Sequence, residues 1–222
     1  MRRLCAFLWA GLLLIPTAHG AIVSVADSTA SWQGFMNVFE LPSHGGGYVF
    51  GSNWGVPDLT ATFDNSNHKL TLSPNTIGDP NPFWYTPSGG PGAAGNKIME
   101  ANLFLQVDDG SLSGQTVTFQ GVILTNTYTA AHQASIFVRD FAPDFSSFNE
   151  TIVPASVGAF SISLATATGA GRHVQYGFQS KGVDVWITDT APFGNVMIGT
   201  IPAPASLALL GLGGSMMLRR RR

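Results

Sequence analysis

The chain has 222 residues, of which 45% are hydrophobic, 11% aromatic and only 11% charged. That composition excludes a disordered chain and suits one domain of ordinary size. Six of the eleven Lys and Arg residues lie at the extremities (Arg2, Arg3 and Arg219 to Arg222), which leaves five basic residues against all thirteen acidic ones in the middle. Such an acidic region lacks the basic footprint that a nucleic-acid partner demands.

Met1-Arg2-Arg3 is a positive opening, followed by an apolar run from Leu4 to Ile15, a breaker at Pro16 and the small residues Ala18 and Gly20 before Ala21. This is the layout of a secretory signal peptide over residues 1–20, cut after Gly20. Its twelve apolar residues are too few to span a bilayer. The single cysteine, Cys5, falls inside it, so the exported chain carries no disulfide, thiolate metal site or cysteine nucleophile.

From Ala21 to Thr200 the apolar residues alternate with polar ones. Period two predicts about ten strands among the segments 22–26, 34–41, 47–50, 58–63, 68–73, 98–107, 115–125, 134–141, 157–164, 173–179, 183–188 and 195–200. Leu103, Leu105 and Val107 form one face of such a segment, and Asn102, Phe104 and Gln106 form a wetter one. Val174, Tyr176 and Phe178 similarly alternate with His173, Gln175 and Gly177. Glycine- and Asn/Asp-rich clusters, Lys181-Gly182 among them, read as turns. The proline-rich stretch from Ser73 to Asn96 reads as a functional loop or a packed flap. The expected fold is all-β: an antiparallel β-sandwich of jelly-roll type over residues 21–200, with an up-and-down barrel as the alternative. A signal helix flanks it on the N-terminal side and a hydrophobic helix on the C-terminal side. Residues 171–187, from Gly171-Arg172-His173 to Val185-Trp186-Ile187, resemble the closing strands of carbohydrate-binding jelly rolls, a likeness that bears on fold more than on sugar binding.

Candidate chemistry in the middle is sparse. Trp54 and Trp84 fall in loops and Trp186 in a late strand; these indoles are candidates for stacking on sugar rings, against the alternative that they cap the core. Asp27 near the first strand and Asp189 near the last are the candidate ligands of a structural calcium ion, although no D-x-D-x-D-G loop is present; solvated turn carboxylates are the other reading, and no other cofactor is expected. The only glutamates, Glu40, Glu100 and Glu150, show no pairing that would mark a glycosidase, and there is no G-x-S-x-G or H-E-x-x-H. No catalytic residue is assigned.

The C-terminus reads Pro202-Ala203-Pro204, then an uncharged span from Ala205 to Leu218, then Arg219, Arg220, Arg221 and Arg222. As a helix the span would rise about 21 Å, short of the ~30 Å hydrocarbon core, a gap that thinning and arginine snorkelling can cover. The arginines place this end in the cytoplasm and act as a membrane stop. The order of Pro-x-Pro motif, Leu/Gly-rich span and arginine cluster resembles the PEP-CTERM sorting signal of exopolysaccharide-producing bacteria. Here Ala203 stands where that motif has glutamate. The resemblance covers residues 201–222 and implies handling by the secretion machinery and an exosortase-like sorting enzyme, with inner-membrane anchoring before arrival at the cell surface or extracellular matrix. The resulting expectation is a non-enzymatic envelope or matrix protein, adhesive or associated with exopolysaccharide. A carbohydrate-binding module with a defined sugar is the alternative, and a secreted glycoside hydrolase a third.

Overall fold

A computed structural model describes residues 20–201. All but the last residue of the signal peptide, together with Pro202, Ala203, Pro204 and Arg219 to Arg222, lies outside the described residues, as do the two expected flanking helices. In chain order the first strands are β1 (Gly20–Ser24), β2 (Gln33–Glu40), β3 (Tyr48–Asn53), β4 (Ala61–Asp64) and β5 (Lys69–Leu72). Three two-residue strands follow, β6 (Thr76–Ile77), β7 (Tyr85–Thr86) and β8 (Ala94–Gly95). The long strands are β9 (Lys97–Val107), β10 (Thr116–Asn126), β11 (His132–Phe141), β12 (Phe148–Pro154), β13 (Gly158–Ala165) and β14 (His173–Val183). Two short ones close the chain, β15 (Val185–Trp186) and β16 (Val196–Gly199). Among the described residues there is no helix long and apolar enough to cross a membrane.

The fold is all-β, in two six-stranded sheets and two two-stranded ones (β6 with β15, β7 with β8). The first six-stranded sheet runs β1-β10-β16-β5-β4 with β13 on the free side of β10, and the second runs β12-β11-β14-β9-β2-β3. Pairing is antiparallel throughout the second sheet. The first is antiparallel except where β1 lies parallel to β10. Period two sends alternate side chains to opposite faces. Val117, Phe119 and Ile123 of β10 therefore meet Met99, Leu103, Ile136 and Phe178 of the other sheet in one buried core. Phe119 lies at its centre, 5.6 Å from the Phe178 ring and 5.3 Å from Tyr176. It has no exposed surface, and burying a ring of that size contributes about 1.5–3 kcal/mol.

Three expectations from the sequence change. Lys181-Gly182 is not a turn: β14 runs through it to Val183, pairing Gly182 with His132. A Cβ on Gly182 would collide with the His132 ring, so the glycine is there for close approach of two strands and not for chain reversal. The strand expected at 58–63 starts later, because Val56–Leu59 forms a 3-10 turn ending in left-handed Thr60. Strand β12, an edge of the second sheet, was not expected at all; Phe148, Glu150 and Ile152 share a face of mixed polarity that hides its period. The proline-rich stretch is a packed flap. Its Tyr85 is fully buried and its hydroxyl donates to the Ile77 carbonyl (2.7 Å), while β6 pairs with β15.

Candidate functional site

The outward face of the second sheet is built from the residues that alternate with its core. Along β9, Met99, Ala101 and Leu103 enter the core, so Glu100, Asn102, Phe104 and Gln106 stand on the other face. Strand register carries that pattern sideways in rows. Gln106 sits opposite Gln175, Gln175 opposite Arg139, and Arg139 opposite Glu150. The next row is Gln33, Phe104, Gly177, Phe137 and Ile152, and the one after it contains Phe35, Asn102, Gln179 and Ser135.

These rows are the faces expected to be wet, and at their centre they are not. Asn102 is 2% exposed, Gln175 6%, Gln179 8%, Phe104 6% and Phe137 0%. The Arg139 guanidinium lies 4.0 Å over the Phe137 ring and seals it from above, a cation–π contact that also hides the ring from water. At one edge the β11–β12 loop raises an aromatic rim: Phe141 packs on Phe148 with centroids 4.9 Å apart and on Phe145 at 5.5 Å. Phe145 adopts φ +57°, a left-handed conformation that costs about 1–3 kcal/mol in a residue with a Cβ. One face of its ring stacks on His173, 4.1 Å away and 13° from parallel. The ring nevertheless stays 51% exposed, as Phe148 is 50% exposed. Together these residues enclose a groove of about 790 Å³.

A continuous polar network holds the lining in place. Arg139 donates from Nε to Glu150 Oε2 (2.9 Å) and from Nη1 to Asn102 Oδ1 (2.9 Å). Gln179 Nε2 donates to the same Asn102 oxygen at 3.1 Å. Gln175 Nε2 donates to Gln106 Oε1 (2.7 Å), and Gln106 Nε2 to Asp108 Oδ2 (3.0 Å). Glu100 accepts from Asn37 Nδ2 (3.0 Å) and from Lys181 Nζ (3.0 Å). At the rim His173 Nδ1 pairs with Asp108 at 2.7 Å. Partial burial works against the Asp108 charge, but the hydrogen bonds from Gln106 and His173 prevail and hold its carboxyl below the usual range. With those bonds made, Gln175 Oε1, Gln179 Oε1 and Arg139 Nη2 have no protein partner among the described residues, and they remain available to a bound molecule. Two acceptors and a charged donor set among buried amides and flanked by exposed rings suit a polyhydroxylated ligand: hydroxyl groups both donate and accept, and C–H faces pack on rings.

The residues singled out from sequence lie elsewhere. None of Trp54, Trp84 and Trp186 lines the groove. All three are partly buried and pack against the core, Trp84 edge-on to Phe50 (6.2 Å) and Trp186 edge-on to Tyr85 (5.4 Å). Trp54 donates to Ser52 Oγ (2.9 Å) and borders a smaller hollow of about 550 Å³ that shares Asn53 with the groove. Asp27 accepts from the Thr29 amide (3.0 Å) and hydroxyl (2.6 Å), whereas Asp189 accepts from the Gly92 amide (2.6 Å) and the Thr188 hydroxyl (2.8 Å). Asp27 thus organises its own turn and Asp189 ties its turn to the proline-rich flap at Gly92, and among the described residues no group of three or more His, Cys, Asp or Glu is arranged to hold a metal ion. Glu100 and Glu150 do both reach the groove. Register sets them three strands and six residues apart, about 14 Å across and about 20 Å along the sheet. A glycosidase pair stands roughly 5–9.5 Å apart, so these two do not form one. Glu40 lies at the end of β2, paired with Lys97 at 3.1 Å.

Sequence reasoning missed the phenylalanine rim and Arg139. The available signal was the run of amides on two segments, Asn102 and Gln106 with Gln175 and Gln179, but only strand order makes them neighbours. No protein-family model, curated protein or solved structure matches the chain.

Proposed function

We propose that the chain is a non-enzymatic, exported cell-envelope or extracellular-matrix protein that holds exopolysaccharide in the groove of its second sheet. The supporting observation is the row of buried amides beside exposed Phe145 and Phe148, with Gln175 Oε1, Gln179 Oε1 and Arg139 Nη2 left open. Six strands span about 24 Å, long enough for several sugar rings in line. On this reading the sandwich is of jelly-roll type, and the sugar-stacking rings are phenylalanines in place of Trp54, Trp84 and Trp186.

Delivery rests on the two ends. Residues 1–20 export the chain, and residues 201–222 resemble a PEP-CTERM tail that an exosortase-like enzyme would handle. Ile201 donates its N–H to the Val25 carbonyl (2.8 Å) at the end of the first sheet. Two experiments test the proposal. Affinity electrophoresis of the full chain through gels containing bacterial exopolysaccharide should show retardation that Arg139→Ala and Phe145→Ala diminish; equal mobility with and without polysaccharide would refute groove binding. Fractionation of cells expressing the chain with and without residues 201–222 should move the protein out of the membrane fraction when the tail is removed, and unchanged partitioning would refute the anchor.

A further inference from the structure

The ionised groups of the groove lining are Glu100, Glu150 and Arg139. We infer that the groove selects neutral polysaccharides and rejects polyanionic ones, because its carboxylates already match every cation that reaches it. The inference rests on the groove being the glycan site.

Arg139 is bound to Glu150 at 2.9 Å, and the Lys181 ammonium, beside the lining, is bound to Glu100 at 3.0 Å. A uronate or sulfate entering the groove would have to share one of these cations with a carboxylate already in contact with it. Like charges that close, in a partly desolvated site, are strongly disfavoured. The wider field acts in the same direction, since five basic residues face thirteen acidic ones across the described region, and such a surface slows the approach of a polyanion. Hydrogen bonding agrees at two of the three open atoms, Arg139 Nη2 being a donor that either class of ligand can use. Gln175 Oε1 and Gln179 Oε1 are acceptors and need donors; a sugar hydroxyl brings one, whereas a carboxylate brings none. The lining is thus complementary to hydroxyls along the amide rows and to C–H faces at Phe145 and Phe148, and offers an anion no unshared cation among the described residues.

Equilibrium binding of the full chain would be measured at low salt against neutral probes (galactomannan, mixed-linkage glucan and dextran) and anionic ones (alginate, polygalacturonate and dextran sulfate). The expected result is binding to at least one neutral probe and at least tenfold weaker binding to every anionic probe. Glu150→Gln, which frees Arg139, should raise anionic binding severalfold; Glu100→Gln, which frees Lys181, is the second variant should the first not fold. Anionic probes bound as tightly as neutral ones, or unmoved by both variants, would overturn the charge inference while leaving the groove as the site, provided Phe145→Ala still weakens binding. Failure of all six probes to bind would overturn the glycan reading itself, and the selectivity with it.

Discussion

Replacing Asp184 with asparagine isolates a buried charge whose effect on stability has a defined sign. Asp184 has no exposed surface; its Oδ1 accepts the Lys97 amide at 2.9 Å, and its Oδ2 has no partner. Burial pushes its pKa from 3.8 up to about 6, against the opposing pull of the Lys97 amide. The native state therefore binds this proton more tightly than the unfolded chain. The associated stability is complete below pH ~4 and is lost as pH rises through about 6. A shift of about 2 units corresponds to about 3 kcal/mol, of which roughly 2 kcal/mol falls between pH 4 and pH 7.5 by the same linkage. His132, whose pKa burial lowers, acts with the opposite sign near the same window, so the informative quantity is the difference between wild type and Asp184→Asn. Urea unfolding at pH 4 and pH 7.5 should show the variant gaining about 2 kcal/mol relative to wild type across that interval. The absolute offset is smaller, because the new amide nitrogen lacks an acceptor at the Oδ2 position, a cost of about 1–3 kcal/mol. Identical pH dependence in the two proteins would refute the assignment of a buried, proton-binding carboxylate.

Arg139→Ala removes the open Nη2 donor and uncovers Phe137; binding measured by calorimetry should weaken about 10- to 100-fold, in line with about 1.5–3 kcal/mol for one charge-assisted hydrogen bond to the ligand. Phe145→Ala removes a half-exposed ring, so glycan affinity should fall about 3- to 10-fold with little change in melting temperature. Gly182→Ala drives a methyl group into the His132 ring and should destabilise by about 1–3 kcal/mol in urea unfolding, with affinity per folded molecule unchanged.

Several features of the fold can be read directly from the chain. The alternation in 98–107, 115–125, 134–141 and 157–164 corresponds to β9, β10, β11 and β13, because a strand's period is local and one buried face imposes it. Edge strand β12 escaped notice because Phe148, Glu150 and Ile152 share the groove face, so apolar and charged residues mix where a simple sheet would be uniform. Lys181-Gly182 has the composition of a turn, yet its glycine answers to a histidine fifty residues earlier in the chain, a demand that no local pattern encodes.

The candidate site shows the same division. Sequence alone distinguishes the two sides of β9 and β14, since alternation within one strand decides which residues enter the core. It cannot decide which polar side chains become neighbours: Glu150, Arg139, Gln175 and Gln106 come from four separate strands and meet only through non-local pairing. The fate of Asn102 and Gln179 follows from that pairing. Each reads as a wet residue by its position in a strand, and each is buried because Arg139 and the amides of adjoining strands close over it. Period and composition thus specify the sheet faces one strand at a time, whereas strand order across the chain turns one of those faces into a groove.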